Sequence, residues 1–279
     1  MLRLRSAFLA FAALALGTGA LAGGTAAGAR ADDARLCHYQ VARVGGGQYV
    51  VQNNEWDSPA PECVSTGGGT EFRVVNSTIA NATDGAPGAY PSIFGGCHWG
   101  DCTTGGLGAH PVLLSDLGGG MVQSSWYTTD PSASEDAYDV AYDIWINQTP
   151  TTSGSPDGTE IMVWLNHRGP VQPAGRVVAT GVPLGGRRYD VWYSPGSGTG
   201  DTVSYQMISA RTGVTDLDIG TIVSDAERRG YTQPSWYLIS VEAGFEIWRG
   251  GAGLATRSFS VNLVRGVHGW PTSGHRIRP

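Results

Sequence analysis

Two glutamates in this sequence sit where a charge is expensive. Each lies in an apolar run of strand-forming residues, and a carboxylate there is costly unless it faces a cleft or a partner. In Glu160-Ile161-Met162-Val163-Trp164-Leu165, the two-residue period of a strand puts Glu160, Met162 and Trp164 on one face and Ile161, Val163 and Leu165 on the other. In Ala243-Gly244-Phe245-Glu246-Ile247-Trp248, the same alternation groups Glu246 with Gly244 and Trp248, opposite Phe245 and Ile247. A third run, Tyr138 to Ile146, places Asp139, Asp143 and Trp145 together, and an aspartate beside a reactive carboxylate can bias its ionisation. Paired carboxylates flanked by ring faces are the equipment for cleaving glycosidic bonds, one acid protonating the leaving oxygen while the other attacks or activates water. A strand acid ordinarily lies on a solvated face. Two independent acid-plus-Trp faces weigh against that reading without removing it.

Two further segments carry groups suited to a sugar. Gln52-Asn53-Asn54-Glu55-Trp56 ends a strand with amides that can bond hydroxyls and an indole that can stack on a pyranose, although Trp56 could equally be core. Tyr90 to Gly100 is a loop constrained by Pro91, glycines and Cys97 that could present Trp99 to a ligand or simply pack it.

The rest of the composition excludes most other chemistries. All 18 basic residues are arginine, so the phosphate-loop, kinase and pyridoxal mechanisms that need a lysine amine are ruled out. No G-x-S-x-G, H-E-x-x-H, C-x-x-C or dinucleotide fingerprint in strand-to-helix context occurs, and the proposed acid chemistry needs no metal or organic cofactor. With 42 glycines and 15 prolines the chain is too rich in helix breakers for a bundle. About a dozen strands are expected, at 37–44, 48–54, 70–79, 111–115, 120–127, 137–147, 159–166, 176–182, 187–194, 202–210, 235–248 and 256–264. That pattern predicts an all-β fold, a curved two-sheet β-jelly-roll sandwich. One short helix is expected, capped by Asp218, with Ile219, Ile222, Val223 and Ala226 on one face and Arg228-Arg229-Gly230 at its end.

Residues 1–31 have the layout of a secretory signal peptide: Arg3 and Arg5, an apolar run from Phe8 to Leu16, then small residues up to Ala29-Arg30-Ala31. The run is too short to span a bilayer, which predicts a secreted, extracellular protein with no membrane partner. Residues 32–279 are read as one domain. Losing the leader removes three arginines and no acid from a chain already at −6, and an acidic surface is a poor partner for nucleic acid. An even count of four cysteines in an exported chain reads as two disulfides, and Cys37 with Cys63 and Cys97 with Cys102 is the expected pairing. Zinc on Cys97, His98 and Cys102 is disfavoured, because no second ligand pair follows.

At this point the sequence resembles glycoside hydrolase family 12. The resemblance is carried, in order, by Asn53-Asn54-Glu55-Trp56, the Tyr90–Gly100 loop, Tyr142-Asp143-Ile144-Trp145, Glu160 to Leu165 and Gly244 to Leu254. It implies a compact jelly roll acting as a retaining endo-β-1,4-glucanase, with a β-glucan polysaccharide as partner and no cofactor. It implies Glu160 as nucleophile, Glu246 as general acid and then base, and Asp143 hydrogen-bonding near the nucleophile. Asn54, Trp56 and Trp99 would line the glycone subsites, with Met162 and Trp164 beside the reacting sugar. Gly169 to Gly175 would be the Pro/Gly-rich cord that crosses the cleft. Ile247 stands where many members have proline, and its extra N–H predicts a change in local pairing. Asp57, where glycine is common, adds a charge near the glycone end. A xyloglucan- or mixed-linkage-preferring enzyme of the same fold and a non-catalytic carbohydrate-binding sandwich are the alternatives. A monomer is expected.

Overall fold

Glycine- and proline-rich turns cut this chain into short strands, in several of which the two-residue period separates an inner from an outer face. The computed structural model describes residues 33–131, 133–196 and 200–263; the expected leader at 1–31 and the tail beyond Gly266 lie outside them. In chain order the strands are β1 (Ala34–Cys37), β2 (Val41–Val44), β3 (Tyr49–Gln52), β4 (Glu62–Thr66), β5 (Phe72–Ser77), β6 (Ser92–His98), β7 (Asp101–Cys102), β8 (Val112–Leu113) and β9 (Val122–Thr129). There follow β10 (Ala137–Asn147), β11 (Thr159–Arg168), β12 (Arg176–Leu184), β13 (Arg187–Ser194), β14 (Asp201–Met207), β15 (Gly213–Asp218), the helix α1 (Ile219–Arg228), β16 (Tyr237–Gly244), β17 (Ile247–Arg249) and β18 (Ala255–Leu263).

They form the two-sheet, all-β sandwich expected of the sequence. The smaller sheet runs β1-β4-β5-β18-β9-β15; the larger runs β12-β13-β14-β11-β10-β16-β6-β3-β2, with β17 on β10, β7 on β6 and β8 on β16. The core fills the space between them: Val51, Ile93, Tyr142, Ile144, Ile161, Val163, Val203, Tyr205, Val241 and Ala243 from the large sheet meet Phe72, Val74, Trp126 and Phe259 from the small one. Trp126 is fully buried, its indole N–H donates to Thr256 Oγ1 at 3.0 Å, and its ring lies edge-on to Tyr142. Helix α1 is capped as expected, Asp218 accepting from the Thr221 N–H at 3.0 Å, and it buries Ile219, Ile222, Val223 and Ala226. Gly230, with φ +81°, ends it in the left-handed conformation that glycine adopts freely.

Two expected strands are broken, each for a local reason. The run 37–44 joins the end of one strand to another in a different sheet: Cys37 closes β1, which pairs with β4, His38 takes φ +56°, the chain turns, and β2, at Val41–Val44, pairs with β3. The run 235–248 is interrupted at Phe245-Glu246, which separates β16 from β17. The strands β4, β6, β7 and β15, and β1 apart from Cys37, were not among those expected. β6 is fully buried but for His98 and contains Gly95-Gly96-Cys97, so it lacks the alternation that marks a half-buried strand. Both expected disulfides form, Cys37–Cys63 and Cys97–Cys102. The second closes the β6–β7 hairpin and takes both sulfurs out of any metal site.

Candidate active site

The outer face of the large sheet collects the acids. On β10 the register places Asp143 opposite Met162, Trp145 opposite Glu160, and Ala141 opposite both Trp164 of β11 and Gly244 of β16. Asp143 also faces Glu242 of β16. One face therefore carries Glu160, Asp143, Asp139 and Glu242 on three adjacent strands, with Glu246 at the break between β16 and β17. The inner faces of these strands, Tyr142, Ile144, Ile161, Val163, Val241 and Ala243, are sealed in the core. The face is thus pinned by burial on its back, and a one-residue slip in register would exchange acid for core.

Glu246 owes its position to the interruption. The Glu246 N–H donates to Asp139 Oδ1 at 3.0 Å, and the Asp139 N–H donates to the Glu246 carbonyl at 3.0 Å. This reciprocal pair holds the glutamate opposite β10 while Phe245 and Ile247 on either side are buried in the core. Ile247 uses the N–H that proline would lack, donating to Ala89 O at 3.0 Å, so local pairing here includes that extra bond. Glu160 on β11 accepts from Thr202 Oγ1 of β14 at 3.0 Å.

Crowding sets the protonation of these groups. Burial, then the charge of Glu246, pushes Glu160 up to about 8, against which the Thr202 hydrogen bond acts. Burial raises Glu246 as well. Asp143 is raised well above the carboxylate range by burial and then by Glu160, Glu246 and Glu242, and Asp139 by burial and then by Glu246. Adjacent carboxylates in a poorly solvated cleft cannot all ionise, so the face retains protons near neutrality. Such a set can both donate a proton and offer a carboxylate nucleophile.

The candidate sugar contacts divide by exposure. Trp99 is 42% exposed at the tip of the β6–β7 hairpin and stands edge-on to Trp145, ring centroids 5.2 Å apart, which brings it to the Glu160 end of the face. Trp56 is 47% exposed, and Asn54, at φ +47°, accepts from the Tyr90 N–H. Their segment is joined to the Glu246 side through Ala89, which bridges both Glu55 and Ile247. Asp57 beside it is exposed. Met162 and Trp164 are 3% and 1% exposed and pack with Ala141, Trp248 and Val171. Val171 belongs to the cord at 169–175, which leads from β11 to β12 and inserts this side chain on the cleft side of the sheet. Trp164 thus has no open ring face; of the tryptophans expected to bind sugar, Trp56 and Trp99 are exposed.

Reasoning from sequence passed over Glu242, and it read Gln52 only as an amide for sugar hydroxyls and His98 only as a disfavoured zinc ligand. Glu242 is fully buried and is bonded by Gln52 Nε2 and His98 Nδ1. The signal was present, since Ser240-Val241-Glu242-Ala243-Gly244 places an acid in an apolar strand as surely as the Glu160 segment does. A depression of about 680 Å³ lined by residues including Arg187, Arg188, Met207 and Arg211 shares none of these residues and is separate from the acidic face. Among the described residues no group of three or more His, Cys, Asp and Glu could hold a metal ion, and no helix is long and apolar enough to cross a membrane.

Comparison with known proteins shows the family and the fold. The family model described as glycosyl hydrolase family 12 matches residues 47–264. A probable cellulase of Mycobacterium tuberculosis is 33% identical over 126 residues, 45% of this chain and 81% of the relative. A probable xyloglucan-specific endo-β-1,4-glucanase A of Aspergillus clavatus is 28% identical over 228 residues, 78% of this chain and 87% of the relative. The solved structure of an endoglucanase from Rhodothermus marinus superposes with a TM-score of 0.75 at 36% identity, covering 82% of this chain and 98% of that one.

Proposed function

The chain belongs to glycosyl hydrolase family 12, and from that membership and its acidic cleft we propose that it is a secreted, retaining endo-β-1,4-glucanase acting on cellulose and related β-glucans. The observation that carries the reading is the placement of Glu160 and Glu246 on one open sheet face, with Asp143 between their strands and exposed indoles beside them.

In this reading Glu160 attacks the anomeric carbon while Glu246 gives its proton to the leaving glycosidic oxygen, forming a glycosyl–enzyme ester. Glu246, now a base, takes a proton from water as the water oxygen attacks the same carbon, and Glu160 leaves as carboxylate. Two inversions retain configuration, which calls for the carboxyl groups to lie about 5–5.5 Å apart. The Thr202 bond to Glu160 Oε2 leaves the other oxygen to react. Glu160, raised to about 8, is the nucleophile when the protons of the cluster rest on its neighbours, and Asp143, raised by burial and then by Glu160, can donate to it and stabilise it as carboxylate. Asp139 fixes the acid/base through its backbone N–H. Met162 and Trp164 form the apolar wall behind the reacting sugar. The two disulfides suit an oxidising compartment and export through the leader at 1–31.

The test is reducing-end release and viscosity loss on carboxymethylcellulose, barley β-glucan and xyloglucan, with folded Glu160→Gln and Glu246→Gln as comparisons. Loss of activity by orders of magnitude in both variants supports the assignment, and the wild-type rates rank the substrates. Preference for xyloglucan would place the chain with the relative from Aspergillus clavatus. Binding without cleavage would replace the enzyme by a carbohydrate-binding sandwich. Proton NMR of the first-formed product distinguishes retention from inversion.

A further inference from the structure

A buried carboxylate that the proposed reaction does not use lies between the acids of the cleft and the exposed ring of Trp99. Glu242 is 0% exposed, and three elements satisfy it. His98 Nδ1 of β6 lies 2.9 Å from its Oε1, Ser240 Oγ of β16 donates to the same oxygen at 3.2 Å, and Gln52 Nε2 of β3 donates to Oε2 at 3.1 Å. Gln52 is itself fixed by Ser92 Oγ at 2.8 Å. This contact ties the imidazole to a carboxyl group that is itself held from three strands, and it sets the angle of the ring. Gly96 makes the arrangement possible, because a Cβ there would lie 2.3 Å from Ile239 O and 2.5 Å from Ser240 Cα.

The orientation of His98 bears on its neighbour. The His98 and Trp99 ring centroids are 4.1 Å apart, and Trp99 in turn stands at 86° to Trp145, the register partner of Glu160. Trp99 adopts φ +44°, a conformation that a bulky residue holds only where its surroundings impose it. The Cys97–Cys102 bridge constrains the backbone of that turn, and the ring is constrained by His98 and Trp145. An exposed indole that is already immobilised loses less rotamer entropy when a sugar stacks on it.

We propose that the Glu242–His98 pair anchors Trp99 as a rigid stacking platform, making Glu242 a positioning residue for the glycone end of the bound glucan. This rests on the endoglucanase reading above, and it assigns Glu242 no direct part in the chemistry.

The experiment is steady-state hydrolysis of aryl β-cello-oligosaccharides that carry the chromophore at the reducing end and differ in the number of glucosyl units on the glycone side. Wild type, Glu242→Ala, Trp99→Ala and the double variant are compared. Wild-type kcat/KM should rise with glycone length, and Glu242→Ala should lose about tenfold on the substrate long enough to reach Trp99, in KM rather than kcat, with little loss on the shortest. Trp99→Ala should show the same loss, and Glu242→Ala should add nothing to it in the double variant. If Glu242→Ala does not fold, His98→Phe, which keeps a ring but loses the Nδ1 contact, should give the same length-dependent loss. A length gain that survives either anchor variant, a loss equal on all substrates, or losses that add independently to that of Trp99→Ala would overturn the proposal and leave the enzyme assignment standing. Failure of the wild type to cleave any of the series would instead remove the endoglucanase reading itself.

Discussion

Replacing Glu160 by glutamine should stabilise the fold, and increasingly so as the pH rises. In the folded chain the Glu160 carboxyl is pushed from 4.5 to about 8, by burial first and the Glu246 charge second. Between those values the folded chain keeps a proton that the unfolded chain has released. Stability therefore falls as pH rises through this window, being fully present below about 4.5 and lost by about 8. At 1.36 kcal/mol for each pH unit the ceiling is roughly 3 kcal/mol at pH 7 and about 5 kcal/mol above pH 8. Because the side chain is partly exposed to the cleft and shares its proton with Glu246, about 1–3 kcal/mol at pH 7 is the expected size. Glutamine does not titrate and can still accept from Thr202 Oγ1, so the variant should be free of the penalty. Urea unfolding of both proteins from pH 5 to 8, at equal m-value, measures the difference directly. It should be near zero at pH 5 and grow steadily. A difference that stays flat with pH, or a variant less stable than wild type at pH 8, would refute the reasoning that this carboxylate is held at the expense of the fold.

Four further outcomes follow from the same structure. Glu246→Ala should lose about 10²- to 10⁴-fold on polymeric glucan yet far less on a dinitrophenyl cello-oligosaccharide, whose leaving group needs no proton; parallel losses on both would reject Glu246 as the acid. Burial raises Glu246, so the alkaline limb of the wild-type kcat/KM profile on unactivated glucan should lie above the ordinary carboxylate range and vanish with the activated substrate. Converting Cys37 and Cys63, 26 residues apart, to serine should cost roughly 3–4 kcal/mol through the entropy of the opened loop, read as a fall in the urea midpoint. Asp218→Ala removes the cap of α1 and also the acceptor for the Gly120 N–H, and a loss of about 1–2 kcal/mol in the same assay is expected.

Much of this protein was legible from local pattern. Strands β10 and β13 begin and end where alternation predicts, at Ala137–Asn147 and Arg187–Ser194, and Asp218 caps the helix that its sequence context announces. The sidedness of Glu160, Met162 and Trp164 follows from a period of two, and it survives in the fold because the opposite residues have a core to enter. Strand period says which face a side chain takes; it says nothing about which strand lies alongside. That Asp143 stands between Glu242 and Met162, that Trp145 connects Glu160 to Trp99, and that His98 meets Glu242 across 144 residues depend on the order β11-β10-β16-β6, a property of sheet pairing. The break at Phe245-Glu246 is likewise tertiary, since the local run would continue as strand and it is bonds to distant segments, the Asp139 pair and the Phe245 and Ile247 N–H bonds to Pro91 and Ala89, that hold the interruption. Sequence by itself determined which residues are acid, apolar or cap, because those are properties of side chains and their spacing. Protonation was decided only by the folded sheet, because the desolvation and mutual repulsion that raise Glu160 exist only once distant strands bring the carboxylates together.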